Sequence, residues 1–325
     1  MNVNSIFSIR TKNEFRVLAL EVFDYQYKNN SLYRSFCDQL GRTSNSVVSL
    51  EEIPFLPIEF FKSKKIVTED AKHQIVFSSS GTTGNNTSKH FVKDVEVYKR
   101  SYRTCFENFY GPIADYCILG LLPSYLEREG SSLIYMMDDL IEQSGHVESG
   151  FYLDEMDALI TTLMRLDASG KKVLLVGVSF ALLDLIEKTK FHLKHTIIME
   201  TGGMKGRRKE LIRNELHQQL KQGFGVGKIH SEYGMTELLS QAYSKGNGIF
   251  ECPPWMKILI RDTEDPLSYT PTGKTGGMNI IDLANINSCS FIATQDLGKM
   301  YEDGSFEVLG RFDHSDVRGC NLMVL

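Results

Sequence analysis

The stretch VLLVGVSFALLDLIEK, residues 173–188, decides the fold class. Val173–Val178 is a short apolar run that predicts a buried strand, and Ala181–Lys188 predicts a helix directly after it. The same order recurs on both sides, with a strand over Tyr116–Leu122 before a helix over Leu133–Ile141, and a strand over Thr196–Met199 before a helix over Arg207–Gln222. Strands that alternate with helices predict an α/β fold in which parallel sheets are flanked by helices.

The segments further out indicate how the chain is organised. A capping box from Thr11 to Glu14 predicts the start of an N-terminal helix, and we expect Gly223 to end the helix that begins at Arg207. From Lys257 onward the pattern changes to short strands separated by Gly, Pro and Asp turns, over Lys257–Ile260, Met278–Asp282, Ser290–Thr294 and Ser305–Leu309. We therefore predict an α/β core over residues 1–256 and a small β subdomain with a C-terminal tail over residues 257–325.

Composition excludes several classes of protein. The chain has 325 residues, of which 42% are hydrophobic and 24% charged, as in an ordinary soluble globular protein. Lys plus Arg is 36 and Asp plus Glu is 41, so the net charge of −5 argues against a nucleic-acid-binding surface. We found no apolar run long enough for a membrane span and no signal-peptide pattern, so a cytoplasmic location is expected. The six cysteines are scattered and predict neither a zinc site nor a disulfide framework.

The segment SSSGTTG, residues 78–84, has the features of a phosphate-binding loop. It follows a strand predicted over Gln74–Phe77 and precedes a helix that begins near Val95. Glycines allow close approach of the backbone, hydroxyls and backbone N–H groups donate to an anion, and Lys89 adds positive charge. The Walker spacing is absent, so a P-loop NTPase is not supported. The alternative is an ordinary surface turn, because the same residue types dominate turns.

A second segment, YGMTE at residues 233–237, combines an aromatic ring, a hydroxyl and a carboxylate. Such a set could stack on a base, donate to a phosphate and hold Mg²⁺ through a carboxylate oxygen. The alternative is a helix N-terminus with a threonine cap. The aromatic stripe Tyr98, Tyr102, Phe106 and Phe109 is interpreted as core packing, His230 as a hydrogen-bonded structural group, and Asp138-Asp139 as a solvated turn or helix end.

Four motifs follow one another along the chain: SSSGTTG at 78–84, TGG at 201–203, YGMTE at 233–237, and TQD at 294–296 followed by Gly310-Arg311. Their order resembles that of the adenylate-forming superfamily of acyl and aryl ligases. Within it, residues 122–136 (LPSYLEREGSSLIYM) and 318–323 (RGCNLM) resemble the acyl-protein synthetase family of bacterial bioluminescence fatty-acid reductase complexes. The likeness spans most of the chain.

The resemblance implies a role for each matching residue. The phosphates of ATP would be held by Ser80, Gly81, Thr82, Thr83, Gly84 and Lys89. Gly202, Gly203 and Tyr233 would border the adenine, and Asp296 would accept the ribose hydroxyls, although Gln295 replaces the usual glycine before it. Thr236 would contact the α-phosphate, Glu237 the Mg²⁺, and Arg311 the ribose or the α-phosphate. Cys320 would receive the acyl group.

Typical members of the superfamily continue into a mobile C-terminal domain with a catalytic lysine, whereas this sequence ends shortly after Arg311. We therefore expect that lysine domain to be absent. Three consequences are open: another cation such as Arg311 or Lys205 stabilises the transferring charge, the partial reaction is slow, or a partner protein helps. The leading expectation is ATP-dependent activation of a fatty or other carboxylic acid, with transfer of the acyl group to a protein thiol and then to a reductase or an acyl carrier protein. An acyl- or aryl-CoA ligase of the phenylacetate type and a non-catalytic nucleotide-binding or acyl-adenylate-binding protein are the alternatives.

Overall fold

The computed structural model describes residues 2–68, 72–79, 87–123, 130–152, 155–202, 208 and 211–312. Its helices are α1 Val3–Ile6, α2 Lys12–Asn29, α3 Ser31–Gln39, α4 Phe60–Ser63, α5 Val95–Tyr110, α6 Ser132–Ser144, α7 Met156–Ala168, α8 Ser179–Lys188 and α9 Arg213–Phe224. Its strands are β1 Leu56–Pro57, β2 Ile75–Ser78, β3 Lys89–Val92, β4 Cys117–Leu121, β5 Gly150–Phe151, β6 Val173–Val178, β7 Thr196–Thr201, β8 His230–Tyr233, β9 Ala242–Ser244, β10 Ile249–Glu251, β11 Met256–Arg261, β12 Thr275–Asp282, β13 Phe291–Met300 and β14 Phe306–Arg311.

A large sheet of described strands runs in the order β11-β12-β13-β14-β10-β9-β8-β7-β6-β4-β5, and β1 pairs with β13. The strands from β5 to β8 pair in parallel, as the alternation of strands and helices predicts. Every residue of β4 and β6 is buried, because helices cover a parallel sheet on both faces. The α/β prediction is thus confirmed.

The four strands predicted after Lys257 are present as β11 to β14, with antiparallel pairing. They continue the same sheet, because β14 pairs with β10 and β10 pairs with β9. The division of the chain at residue 256 stays a prediction.

The structure differs from the sequence prediction in the helix that follows β7. Residues 211 and 212 are not helical and α9 begins at Arg213, whereas the helix was predicted from Arg207. Gly223 lies inside α9, and the helix ends at Gly225 with a left-handed φ of 68°. A Cβ atom on Gly223 would lie 2.5 Å from the side chain of Ile186, so this glycine allows α9 to approach α8.

The predicted N-terminal helix is confirmed as α2, and its capping box forms. The Glu14 N–H donates to the Thr11 hydroxyl at 3.2 Å, and the Thr11 N–H donates to Glu14 Oε2 at 3.0 Å. Further along α2, the fully buried Gln26 donates to the carbonyls of Asn285 and Ile286 and accepts the Ser290 N–H. The helix therefore holds the turn between β12 and β13 in place.

The aromatic stripe of α5 is core, as predicted, because Tyr98, Tyr102 and Phe106 are buried. The prediction that Asp138-Asp139 is solvated is wrong for Asp139, which is buried in α6 and accepts a hydrogen bond from Arg103 Nε at 2.7 Å. The charge is compensated there by the ion pair. In the part of the chain that the structure describes, no helix has the length and apolar character needed to cross a membrane.

Candidate active site

Two of the predicted motifs meet at the carboxyl edge of the parallel strands. In the β7–β8 pair Thr201 is the register partner of Glu232, so the residues that follow, Gly202 and Tyr233, lie side by side. Gly202 has φ of 68°, a left-handed conformation that glycine adopts without strain. The carboxyl edge of parallel strands is the usual place for ligands in α/β proteins.

Asp296 joins three strands. In the β13–β14 pair Asp296 is the register partner of Arg311, whose Nε donates to Asp296 Oδ1 at 3.1 Å. The Tyr233 hydroxyl, at the end of β8, donates to Asp296 Oδ2 at 2.7 Å. The structure thus brings together three residues that the sequence motifs singled out separately.

The three side chains differ in their exposure to solvent. Asp296 is buried, whereas the Arg311 side chain is 78% exposed and can move toward a ligand. The Tyr233 ring is also buried and packs edge-on against Phe250 and Phe306, with ring centroids 6.0 and 5.9 Å away. That burial and the neighbouring Asp296 carboxylate raise the Tyr233 pKa well above its usual range, so the hydroxyl keeps its proton and remains a donor.

Residues 234–241 form an irregular loop with a turn at Thr236 and Glu237, so the alternative of a helix N-terminus at YGMTE is wrong. The backbone of this loop is held by side chains from two other elements. The Asn285 amide donates to the Glu237 carbonyl at 2.7 Å, and the His90 Nδ1 atom lies 2.8 Å from the Thr236 carbonyl oxygen. His90 Nε2 also lies 2.9 Å from Asn285 Oδ1. Burial lowers the His90 pKa to about 4, and a neutral ring donates to one of these two oxygens.

Asp282 is a second anchor, which holds the residues just after the YGMTE motif. The fully buried Asp282 carboxylate accepts the backbone N–H groups of Leu239 and Ser240, at 2.7 and 3.1 Å. It also accepts the Ser240 hydroxyl at 2.5 Å, and the Trp255 indole N–H donates to the same hydroxyl oxygen at 3.0 Å. The end of the YGMTE loop is therefore fixed to the last residue of β12.

Glu237 is the candidate ligand for a magnesium ion. Its side chain is buried; burial raises its pKa, while a hydrogen bond from Ser88 and the charges of Arg311 and Lys62 act the other way. No cluster of three His, Cys, Asp or Glu side chains suited to a metal occurs among the described residues. One carboxylate fits Mg²⁺ all the same, because this ion is often held by one or two carboxylates together with substrate phosphates.

The predicted phosphate loop connects two strands rather than a strand and a helix. β2 and β3 pair as an antiparallel hairpin, in which Ser78 is opposite Lys89. The Ser88 N–H donates to the Ser79 hydroxyl at 2.9 Å and closes the base of the loop, and Lys89 is exposed beside it. The predicted site residues Ser80, Gly81, Thr82, Thr83, Gly84, Gly203 and Cys320 lie outside the described residues.

The sequence motifs did not identify the residues that hold the site. Asp282 and Asn285 lie in a segment predicted only as a strand and the turn after it, and His90 lies in a strand that was not predicted; their roles depend on contacts across the chain. Asp282 is the residue whose role the sequence could have indicated, because aspartate is a typical N-cap residue. Its side chain caps the short helical turn Leu283–Asn285 by accepting the Ala284 N–H. His230 behaves as interpreted: burial lowers its pKa to about 4, and its ring lies 3.2 Å from the Tyr110 hydroxyl.

Two proteins have sequences similar to that of this chain over most of its length. The chain is 26% identical over 328 residues to the long-chain-fatty-acid–luciferin-component ligase of Vibrio harveyi, with 94% of this chain and 85% of that protein covered. The protein of the same name from Aliivibrio fischeri is 24% identical over 338 residues, with 94% and 86% covered.

Two solved structures have a similar fold. An open conformation of 2-hydroxyisobutyryl-CoA ligase, in complex with 2-HIB-AMP and CoA, has a TM-score of 0.69 at 12% identity, with 93% of this chain and 75% of that chain covered. ATP-bound MatB from Rhodopseudomonas palustris has a TM-score of 0.56 at 16% identity; the match covers 90% of this chain but 61% of that one. A family model described as acyl-protein synthetase, LuxE, matches residues 7–325. The chain therefore belongs to the acyl-protein synthetase family, LuxE.

Proposed function

We propose that this chain activates a fatty acid with ATP and passes the acyl group to a thiol. In the first step a carboxylate oxygen bonds to the α-phosphorus, the bond to the β-phosphate bridging oxygen breaks, and pyrophosphate leaves an acyl-adenylate. In the second step a thiolate attacks the acyl carbon and AMP leaves. The observation that carries the proposal is the meeting of Tyr233, Asp296 and Arg311 beside the loop of Thr236 and Glu237.

The site supplies the contacts that such a reaction needs. Asp296 is suited to accept ribose hydroxyls, because its two oxygens offer more lone pairs than Tyr233 and Arg311 occupy. The exposed Arg311 guanidinium and the Thr236 hydroxyl would donate to the α-phosphate as charge builds on its oxygens. Glu237 would hold Mg²⁺, which supplies positive charge to the phosphates when bound.

Two assignments depend on similarity and the motifs. The relatives are named for long-chain fatty acids, and we propose the same class of acid here. We propose that Cys320, within the matched region, accepts the acyl group before it passes to a reductase or an acyl carrier protein.

Exchange of labelled pyrophosphate into ATP tests the first step. We expect exchange that requires Mg²⁺ and a fatty acid, with acids of different chain length compared. Tight ATP binding without exchange for any acid would favour a binding protein. Rapid formation of acyl-CoA on addition of coenzyme A, without acyl-protein, would favour a CoA ligase.

Labelling with radioactive fatty acid tests the second step. The protein should acquire a hydroxylamine-labile label in the presence of ATP and Mg²⁺. Cys320→Ser should lose the label and keep pyrophosphate exchange, whereas Cys252→Ser, a thiol near the end of β10, should keep both. Undiminished labelling of Cys320→Ser would overturn the assignment.

A further inference from the structure

A side-chain hydrogen bond lies directly beneath the two loops that follow β7 and β8. The Thr201 hydroxyl donates to Glu232 Oε2 at 2.6 Å. Thr201 is the last residue of β7 and precedes Gly202, while Glu232 precedes Tyr233 at the end of β8. The hydrogen bond therefore joins the two strands at the point where each one gives way to its loop.

The other oxygen of the same carboxyl group lies under the second loop. A Cβ atom on Gly234 would be 2.4 Å from Glu232 Oε1, well inside van der Waals contact. Any side chain at position 234 would thus displace the carboxyl group, which is the flexible end of its side chain. Glycine at this position of the YGMTE motif leaves the space that Glu232 needs to reach Thr201.

The first loop is also held from α8. The Ser179 hydroxyl, at the first residue of that helix, lies 3.3 Å from the Gly202 carbonyl oxygen and 3.3 Å from Glu200 Oε2. Glu200 is buried and lies 3.4 Å from His217 Nε2. Ser179 thus holds one side of the Gly202 loop from α8. Among the described residues, the contact between Thr201 and Glu232 links the strand end before this loop to the strand end before the YGMTE loop.

We propose that Thr201 and Glu232 are positioning residues that set the spacing between the Gly202 loop and the YGMTE loop, and through this spacing the affinity for ATP. The inference rests on the proposed function, in which the adenine lies between Gly202 and Tyr233. Both side chains lie at the strand ends beneath the loops, and neither is among the residues proposed to contact the phosphates or the acyl group. Their loss should therefore weaken binding of ATP more than it slows the chemical step.

Thr201→Val tests the inference, because valine keeps the shape of threonine and removes the donor. We expect the KM for ATP in pyrophosphate exchange, and the Kd for ATP measured by calorimetry without acid, to rise about tenfold, with kcat changed less than about threefold. Thr201→Ser restores the hydroxyl and should recover most of the lost affinity. Thr161→Val is the matched control, since Thr161 is exposed on α7 and its hydroxyl donates only to the Asp157 carbonyl among the hydrogen bonds that the structure describes.

Gly234→Ala should break the same contact between Thr201 and Glu232 from the other side. It should raise the KM for ATP by displacing Glu232, and combining it with Thr201→Val should add little, because both changes break one contact. An unchanged KM in Thr201→Val and Gly234→Ala, equal losses in Thr201→Val and Thr201→Ser, or additive losses in the double variant would overturn the inference. If the unaltered chain neither binds ATP nor catalyses exchange, the proposed function fails instead.

Discussion

At the scale of single residues, Asp296 is the residue proposed to accept the ribose hydroxyls of ATP. Hydrogen bonds to a charged carboxylate contribute about 1.5–3 kcal/mol each. Asp296→Ala should therefore raise the KM for ATP by a factor of ten or more, measured by pyrophosphate exchange. It should also lower the free energy of unfolding by roughly 1–3 kcal/mol, because the buried Tyr233 hydroxyl loses its acceptor.

Tyr233→Phe separates these two effects. Phenylalanine keeps the ring against Phe250 and Phe306 and leaves Asp296 free to bind a ribose, so the KM for ATP should change much less than in Asp296→Ala. Equal increases in the two variants would mean that Asp296 acts by holding Tyr233. Use of 2′,3′-dideoxy-ATP as efficiently as ATP by the unaltered protein would also contradict a ribose contact.

Glu237 is buried, and burial disfavours the charged form of its side chain. Its raised pKa means that an uncharged side chain is tolerated better in the folded protein than a carboxylate. Glu237→Gln should therefore keep the free energy of unfolding, measured in urea, while it raises the Mg²⁺ concentration needed for half-maximal exchange by tenfold or more. Parallel losses of stability and activity would show a structural role instead.

At the scale of elements, the YGMTE loop has no regular structure and depends on its anchors. Asp282 accepts backbone N–H groups of Leu239, Ser240 and Ala284. Asp282→Ala leaves these buried donors without an acceptor and should lower the free energy of unfolding by roughly 3 kcal/mol or more. Asp303→Ala is the matched control: this exposed carboxylate accepts the N–H and hydroxyl of Ser305, and its loss should lower the urea midpoint far less than Asp282→Ala does, because the carboxylate is open to water. Similar urea midpoints for the two variants would contradict the anchoring role.

Elements were predictable from the sequence where the signal is local. The Thr11–Glu14 capping box and the apolar run Val173–Val178 each depend on neighbouring residues, and both elements formed as predicted. Gly223 was wrongly predicted to end a helix. Its small size instead allows α9 to pack against Ile186 of α8, which is a contact between two helices. The strand β3 was missed because four residues, KHFV, give too short a pattern beside the glycine-rich loop.

The distinction between local sequence signals and contacts across the chain also applies to the candidate active site. Motif residues such as Tyr233 and Asp296 were chosen from their order along the chain, and their mutual contact followed from the pairing of β13 with β14 and the position of β8 in the sheet. His90 and Asn285 gave no sequence signal, because a single polar residue in a strand or turn is common. Only the fold brings residues 195 positions apart to 2.9 Å.

At the scale of the whole molecule, one large sheet places a partly buried carboxyl group between strands contributed by distant segments. Glu232 has its pKa raised to about 7, first by burial and then by the nearby Glu200 carboxylate, while the Thr201 hydroxyl opposes the shift. It also faces Tyr98, Cys105 and Tyr243, whose pKa values are themselves raised, so these three groups stay neutral near pH 7. The titration of Glu232 should therefore appear in the stability of the folded chain.

Whether stability rises or falls with pH depends on whether the folded or the unfolded chain holds the proton. Below the ordinary glutamate pKa of 4.5 the side chain is protonated in both states, and the full stability is present. Between 4.5 and about 7 the unfolded chain releases the proton while the folded chain keeps it, so stability falls as pH rises, by about 3 kcal/mol in all. Glu232→Gln removes this titration and keeps an oxygen for Thr201. Urea unfolding of both proteins from pH 4 to pH 8 should show the variant gaining about 3 kcal/mol relative to the unaltered chain across that window. Parallel curves would mean that the Glu232 pKa is the same in the folded and the unfolded chain.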